Sequence, residues 1–148
     1  MFKKKISSLE KKLNYTFRDK ELLTKALTHK TYAFESMYAI EYNERLEFLG
    51  DSILNFVIAE MLYQKNMFFS EGELTRRRAI YVNNTHLAEK AKQFHIGDYL
   101  LLGKGEMKQN GHQTPSNLAN TLEAIFGAIY LDSDFDTVKT IIEHIIVE

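Results

Sequence analysis

The sequence predicts an all-α protein, and three observations carry that prediction. One proline, Pro115, and seven glycines in 148 residues leave few helix breakers. Leu, Ile, Ala, Lys and Glu recur along the whole chain, a composition that suits helices. No stretch alternates with a strict period of two over a useful length, and no internal repeat or low-complexity segment interrupts the pattern. Length and the 45% hydrophobic content fit one domain, residues 1–148, able to bury a core as a helical bundle.

The elements follow in order. A first helix is expected over Ser8–Leu13 and a second over Asp19–Thr28, with Asp19 as its N-cap. The clearest segment runs from Glu44 to Gln64, where Leu46, Leu49, Ile53, Val57 and Met61 recur at helical spacing. Gly50 lies inside it and costs up to ~1 kcal/mol relative to alanine, which points to something packing closely on the backbone. Ser70 opens a short helical stretch that includes Arg76, Arg77 and Arg78. Thr85 is read as the cap of a helix reaching Phe94. Residues Gly103–Pro115 read as a loop, Ser116 as the N-cap of a helix to Leu131, and Asp136–Ile146 as the last helix.

Composition narrows the chemistry. Without cysteine there is no disulfide framework, no zinc–thiolate site and no cysteine nucleophile. The lysine-bearing start has no apolar stretch behind it, so it is not a secretory signal. No apolar run approaches the ~20 residues of a membrane helix. The expected location is the cytosol. A formal net charge of -1 does not by itself suggest a nucleic-acid binder. Any affinity for RNA must come from local clusters or from cations held by acidic groups. His29, His95 and His112 show no metal-ligand spacing and read as structural or surface residues.

Two acidic positions stand out. Glu44, Glu47 and Asp51 are spaced by three and four residues, which places them in a ~60° wedge of one helix face. Three like charges on one stripe repel and need a counter-charge, either basic neighbours or a divalent cation. Such a stripe is ordinarily a solvated face, but Phe48, Leu49, Ile53 and Leu54 crowd the same turns. Further on, Asn120 and Glu123 share a face of a helix whose continuation, Ala124, Ile125, Phe126, Ala128 and Ile129, looks buried. A glutamate there is seldom left without a partner. If the two helices pack side by side, Glu47, Asp51, Asn120 and Glu123 form an oxygen-rich pocket suited to Mg²⁺, which favours carboxylates and retains waters.

The run Asn43-Glu44-Arg45-Leu46-Glu47-Phe48-Leu49-Gly50-Asp51-Ser52 resembles the ribonuclease III signature residue for residue. The segments Ala26–Tyr32, Glu71–Thr75 with Arg78-Ala79, Leu118–Ala124 and Gly127–Asp132 are similar to further parts of that family's nuclease domain. The resemblance implies an all-helical domain that forms a symmetric homodimer with a valley for double-stranded RNA. It implies Mg²⁺ as cofactor, replaceable by Mn²⁺, with Glu47, Asp51, Asn120 and Glu123 as the metal set and Asp51 and Glu123 as the catalytic acids. Glu44 and Glu71 match further acids of the valley, and Phe48 the aromatic residue that inserts into the partner. Hydrolysis leaving 5′-phosphate and 3′-hydroxyl ends, in rRNA and mRNA processing, is the implied activity. Arg76, Arg77, Arg78, Lys104 and Lys108 are candidates for contacts to the RNA backbone, against the plainer reading of solvated charges.

Three departures qualify the resemblance. The family normally has aspartate where this chain has Asn120, a neutral donor that should weaken metal affinity and water activation. This raises the alternative of a weakened or inactive RNA-binding form; natural variation and an engineered change are equally compatible with it. Thr114 and Asn117 stand where a basic and an apolar residue are expected. Most bacterial members continue into a double-stranded-RNA-binding domain, whereas this sequence stops at Glu148, which reads as a truncated chain or a short family member. A helical dimer with decorative surface acids is the remaining rival.

Overall fold

The computed structural model describes residues 2–148, and all of its regular elements are helical. They are α1 (Phe2–Leu13), α2 (Lys20–Leu27), α3 (Lys30–Glu35), α4 (Glu44–Lys65), α5 (Glu71–Val82), α6 (Asn84–Gln93), α7 (Lys104–Lys108), α8 (Pro115–Asp132) and α9 (Phe135–Ile142). Short 3₁₀ turns cover Ile96–Tyr99 and Gly111–Gln113, and α9 widens into a π-helical turn over Glu143–Val147. One isolated parallel bridge, Thr28 to Leu101, ties the end of α2 to the chain before α7.

α8 is the axis of the bundle. Leu118, Leu122, Ile125, Phe126 and Ile129 are fully buried or nearly so, and burial runs round the whole helix rather than along one stripe. A helix that is apolar on every side belongs inside, and α2, α4, α6 and α9 all pack on it. The tightest crossing is with α4. A Cβ built on Gly50 would collide with the carbonyl oxygen of Glu123 and lie 2.6 Å from its carbonyl carbon; one on Gly127 would collide with the carbonyl oxygen of Leu46. The two glycines therefore let α4 and α8 touch backbone to backbone, which is the close packing expected from Gly50 alone.

Boundaries differ from the sequence expectation where capping decides them. α1 begins at Phe2 rather than Ser8, because Ile6, Leu9 and Leu13 form one buried stripe while Lys3, Lys4 and Lys5 face solvent. Asp19 caps α2 as expected, accepting from the Glu21 N–H at 3.0 Å, and Ser70 caps α5 through the Glu73 N–H. Asn83, not Thr85, caps α6 by accepting from the His86 N–H at 2.9 Å. Ser116 does not cap α8: Pro115 occupies the first turn and Thr114 precedes it, since a missing N–H costs nothing there. The expected loop at Gly103–Pro115 holds α7 and a 3₁₀ turn, and α3 has no counterpart in the sequence reading. α9 starts at Phe135, capped by Asp134.

Two buried or half-buried acids hold the α1–α2 corner. Glu10 accepts from the Phe17 N–H and from Lys20 Nζ, both at 2.6 Å. Asp132, at the end of α8, accepts from the Tyr15 hydroxyl and from the N–H groups of Arg18 and Asp19. Burial raises its carboxyl, but these donors outweigh burial and hold it below the usual carboxylate range.

Candidate metal centre

The α4–α8 crossing brings the two acidic turns together. Glu123 is buried, 6% exposed, with its backbone under Gly50. Its carboxyl is pushed from 4.5 up to about 8, first by burial, then by the charge of Asp51, which is close enough to share a proton with it, and by Glu47. Glu47 is half-buried and also raised, by burial first and then by Glu44 and Asp51, with Lys30 opposing. Asp51 is exposed; the amide of Asn55 donates to its Oδ1 at 3.1 Å. Glu44 is exposed and pairs with Lys30 at 3.6 Å. The stripe is thus only partly solvated, at Glu44 and Asp51 but not at Glu47, in line with the apolar residues crowded on the same turns.

Beside this cluster lies a polar hollow of about 300 Å³ lined by His29, Glu44, Glu47, Glu106, Asn117 and Asn120 among others. Asn120 therefore faces the same space as Glu47. Among the described residues no three His, Asp or Glu groups enclose a cation cavity ready-made. Mg²⁺ keeps several waters and is held by only one or two carboxylates, so a looser oxygen set with a buried, mutually repelling core suits it. Carboxylates raised together in one place cost stability until a cation or protons neutralise them.

Glu106 and the role of Asn117 were not read from the sequence. The Asn117 amide donates to Glu106 Oε1 at 2.9 Å and to the Gly111 carbonyl oxygen at 3.0 Å. These two bonds, one part-buried and one buried, fasten α7 and the turn after it to the start of α8 and explain why a polar residue occupies a position where an apolar one was expected. An acid in a stretch taken for loop gave no periodic signal to place it.

The remaining candidates are spread out. Within one chain Glu71 is not among the acids around Glu123: it lines a different hollow, between α4 and α5, with Phe56, Tyr63, Leu74 and Arg78. Phe48 projects from α4, 78% exposed. Arg77 is engaged, pairing with Glu73 at 3.0 Å and lying 4.1 Å from the centre of the Phe69 ring. Arg76, Lys104 and Lys108 are exposed and Arg78 half-buried. Of the histidines named from the sequence, His29 caps α3 and lines the hollow, His95 adopts a left-handed turn at φ 55°, and His112 sits in a 3₁₀ turn.

Comparison with known proteins bears on this geometry. The family pattern described as ribonuclease-III-like matches residues 19–148. Ribonuclease 3 of Vibrio cholerae is 49% identical over 137 residues, 93% of this chain and 58% of that protein. Ribonuclease 3 of a Buchnera aphidicola strain is 50% identical over 134 residues, 90% of this chain and 57% of that protein. The chain thus spans less than two thirds of the curated relatives it matches. The crystal structure of the nuclease domain of ribonuclease III from Campylobacter jejuni superposes with a TM-score of 0.86 at 42% identity, covering 95% of this chain and 92% of that one. Dicer from Pichia stipitis shares the fold at a TM-score of 0.64 and 27% identity, over 88% of this chain and 54% of that one.

Proposed function

The chain belongs to the ribonuclease III family, and from that premise we propose that it acts as an endonuclease domain cleaving double-stranded RNA by Mg²⁺-dependent hydrolysis. The products would carry 5′-phosphate and 3′-hydroxyl ends, and the setting would be cytoplasmic rRNA and mRNA processing. One observation carries the reading: the buried Glu123 carboxylate is set against Asp51 and Glu47, with no basic side chain on it among the described residues.

Glu47, Asp51 and Glu123 would hold Mg²⁺, or Mn²⁺ in its place, with the Asn120 amide oxygen as a neutral donor. The bound ion supplies charge neutralisation at the scissile phosphate and a water of lowered pKa. The protein's own part is positional. α4 and α8, locked at Gly50 and Gly127, hold the carboxylates at fixed spacing. Asp51, the exposed member, faces incoming substrate, while Glu123 stays shielded. Arg76, Arg78, Lys104 and Lys108 would meet backbone phosphates, and Glu44 and Glu71 would line the rest of the valley. Duplex RNA is read mainly by shape, phosphates and 2′-hydroxyls, so a net charge of -1 is no obstacle once cations sit among the acids.

The test is cleavage of a long RNA duplex in Mg²⁺ against the same reaction in chelator. Ion-dependent cutting supports the reading; intact duplex under both conditions, with binding retained, supports the second reading, an RNA-binding form weakened by Asn120. Asn120→Asp separates the cases. It is expected to raise the cleavage rate and the Mg²⁺ affinity about tenfold, the lower end of what adjusting a metal-site partner does. An unchanged rate would show that position 120 does not limit turnover.

Homodimerisation belongs to the same proposal. Exposed Phe48, Phe56 and Tyr63 lie along α4, and the α4–α5 hollow of about 500 Å³ is large enough for a ring. A two-fold dimer seating Phe48 there would present two sites, one for each strand. Phe48→Ala is expected to shift the sedimentation profile from dimer to monomer at micromolar concentration. A wild-type chain already monomeric there would remove the dimer from the account.

A further inference from the structure

Between α1 and α2 lies an open hollow of about 880 Å³, larger than either hollow above and lined by no residue of the metal centre. Small-molecule sites run from roughly 300 to 1,000 Å³ and are mostly apolar with a few placed polar groups. Phe2, Ile6 and Tyr15 form the apolar wall here. Glu10 supplies the placed polar group. Its carboxylate is 6% exposed, yet both donors that reach it, the Phe17 N–H and Lys20 Nζ, bond to Oε2. Oε1 has no hydrogen-bond partner among the described residues. No fully buried polar atom among those residues lacks a partner, so Oε1 still reaches solvent, and the hollow that Glu10 lines is the opening. A carboxylate oxygen so nearly buried gains from a donor brought in by a ligand.

The rim sets the sign of the rest of the ligand. α1 carries five lysines and a single acid. Lys3 and Lys11 line the hollow from one face of α1, with Ser7 a turn from each. Both lysines are exposed, and neither is in an ion pair among the described residues. Lys20 is engaged by Glu10, and the opposing charge on the α2 wall is the exposed Glu21. Asn14 ends α1 in a left-handed conformation, φ 54°. Glycine takes that position without strain; asparagine there adds an amide to the lining.

We propose that this hollow binds an adenine nucleotide. The base lies against Phe2, Ile6 and Tyr15 and donates from its amino group to Glu10 Oε1, while the phosphate meets Lys3 and Lys11. Oε2 already holds two donors, so one new donor fits on Oε1. That suits the single amino group of adenine better than the adjacent N–H groups of guanine. An inorganic anion would leave the apolar wall and the acceptor unused, and a simple amine would face the lysines of the rim. The site shares no residue with the metal centre and stands apart from the endonuclease reading.

The experiment is titration calorimetry of the whole chain in chelator, so that no metal ion bridges phosphate to the acidic turns. The probes are adenosine 5′-monophosphate, the same nucleotide without its amino group (purine riboside 5′-monophosphate), adenosine, and inorganic phosphate. Adenosine monophosphate is expected to bind. Loss of the amino group should weaken binding about tenfold, the lower end for a hydrogen bond to a charged group. Glu10→Gln would also loosen the Phe17 corner, so at this contact the ligand is varied rather than the protein. Lys3→Ala and Lys11→Ala should each weaken binding about two- to fivefold, as exposed charges do, and leave adenosine unaffected. Ser7→Trp, an exposed position, should fill the hollow and abolish binding while melting like wild type. Cleavage of duplex RNA in Mg²⁺ should be unchanged in Lys11→Ala, whatever the endonuclease test shows for the wild type. No heat with adenosine monophosphate, equal affinity for the two nucleotides, inorganic phosphate bound as tightly as the nucleotide, or full binding by a folded Ser7→Trp variant would each overturn the proposal.

Discussion

Glu123→Gln is expected to cut Mg²⁺-dependent cleavage by on the order of 10²–10³-fold, the usual loss when one directly acting electrostatic group is removed from a site, while making the metal-free protein more stable. The two effects have one cause. The Glu123 carboxyl is held at about 8 by burial and by Asp51 and Glu47, against 4.5 in an unfolded chain. Between those values the folded protein keeps a proton that the unfolded chain has released. Stability must then fall as pH rises through that window, with no penalty below 4.5 and the full penalty above about 8. Asp132 and Asp134, both lowered, titrate beneath the window and do not mask it. Glutamine cannot ionise, so the variant should lose most of this slope and melt above wild type near pH 8 in chelator. Adding Mg²⁺ should reverse the order, because an ion that binds only the native site stabilises it by mass action. Melting curves across pH, with and without Mg²⁺, check both halves. A variant that melts lower than wild type in chelator at every pH would mean that Glu123 is a structural acid.

Gly50→Ala is expected to cost about 3 kcal/mol or more, at the upper end of overpacking losses, even though alanine is the better helix former by about 1 kcal/mol. The added methyl would meet the Glu123 backbone carbonyl, which cannot rotate away as a side-chain tip does. α4 and α8 would have to part, moving the acid-bearing turns with them. For a chain of this length that cost is roughly a 10 °C fall in Tm, accompanied by loss of the Mg²⁺-induced rise. Gly105→Ala provides the contrast. Nothing lies within 4 Å of a Cβ built there, inside α7, so thermal unfolding should show no loss and a gain of up to about 1 kcal/mol. If Gly50→Ala unfolds at the wild-type temperature, the backbone contact between α4 and α8 is not a determinant of the fold.

Much of this was legible in the residues, for reasons that differ by element. α4 and α8 are long and strongly patterned, so their periodicity survived boundary errors, and Gly50 in an apolar helix announced a close neighbour. The pairing of the Glu47/Asp51 and Asn120/Glu123 turns was inferable from shared helix faces, once those helices were assumed to pack. What stayed hidden was short or doubly employed. α3 and α7 have six and five residues, too few for a hydrophobic period to show. Asn83 closes α5 and caps α6 at once, which drew the expected cap two residues late. The start of α1 was placed late, at Ser8, because Ile6 is the one buried apolar residue in its first two turns. Glu106 enters the hollow through α7, and only the bond from Asn117 shows why. The exposure of Phe34 and Tyr38 is likewise something no pattern of residue types conveys.

The account depends on a cation shared between α4 and α8, and diffraction at the manganese edge from crystals soaked in Mn²⁺ tests this directly. The expected result is an anomalous peak between the carboxylates of Glu47, Asp51 and Glu123, with the Asn120 amide oxygen turned toward it. Saturating Mn²⁺ that leaves this position without a peak, while the carboxylates keep their metal-free arrangement, would contradict it.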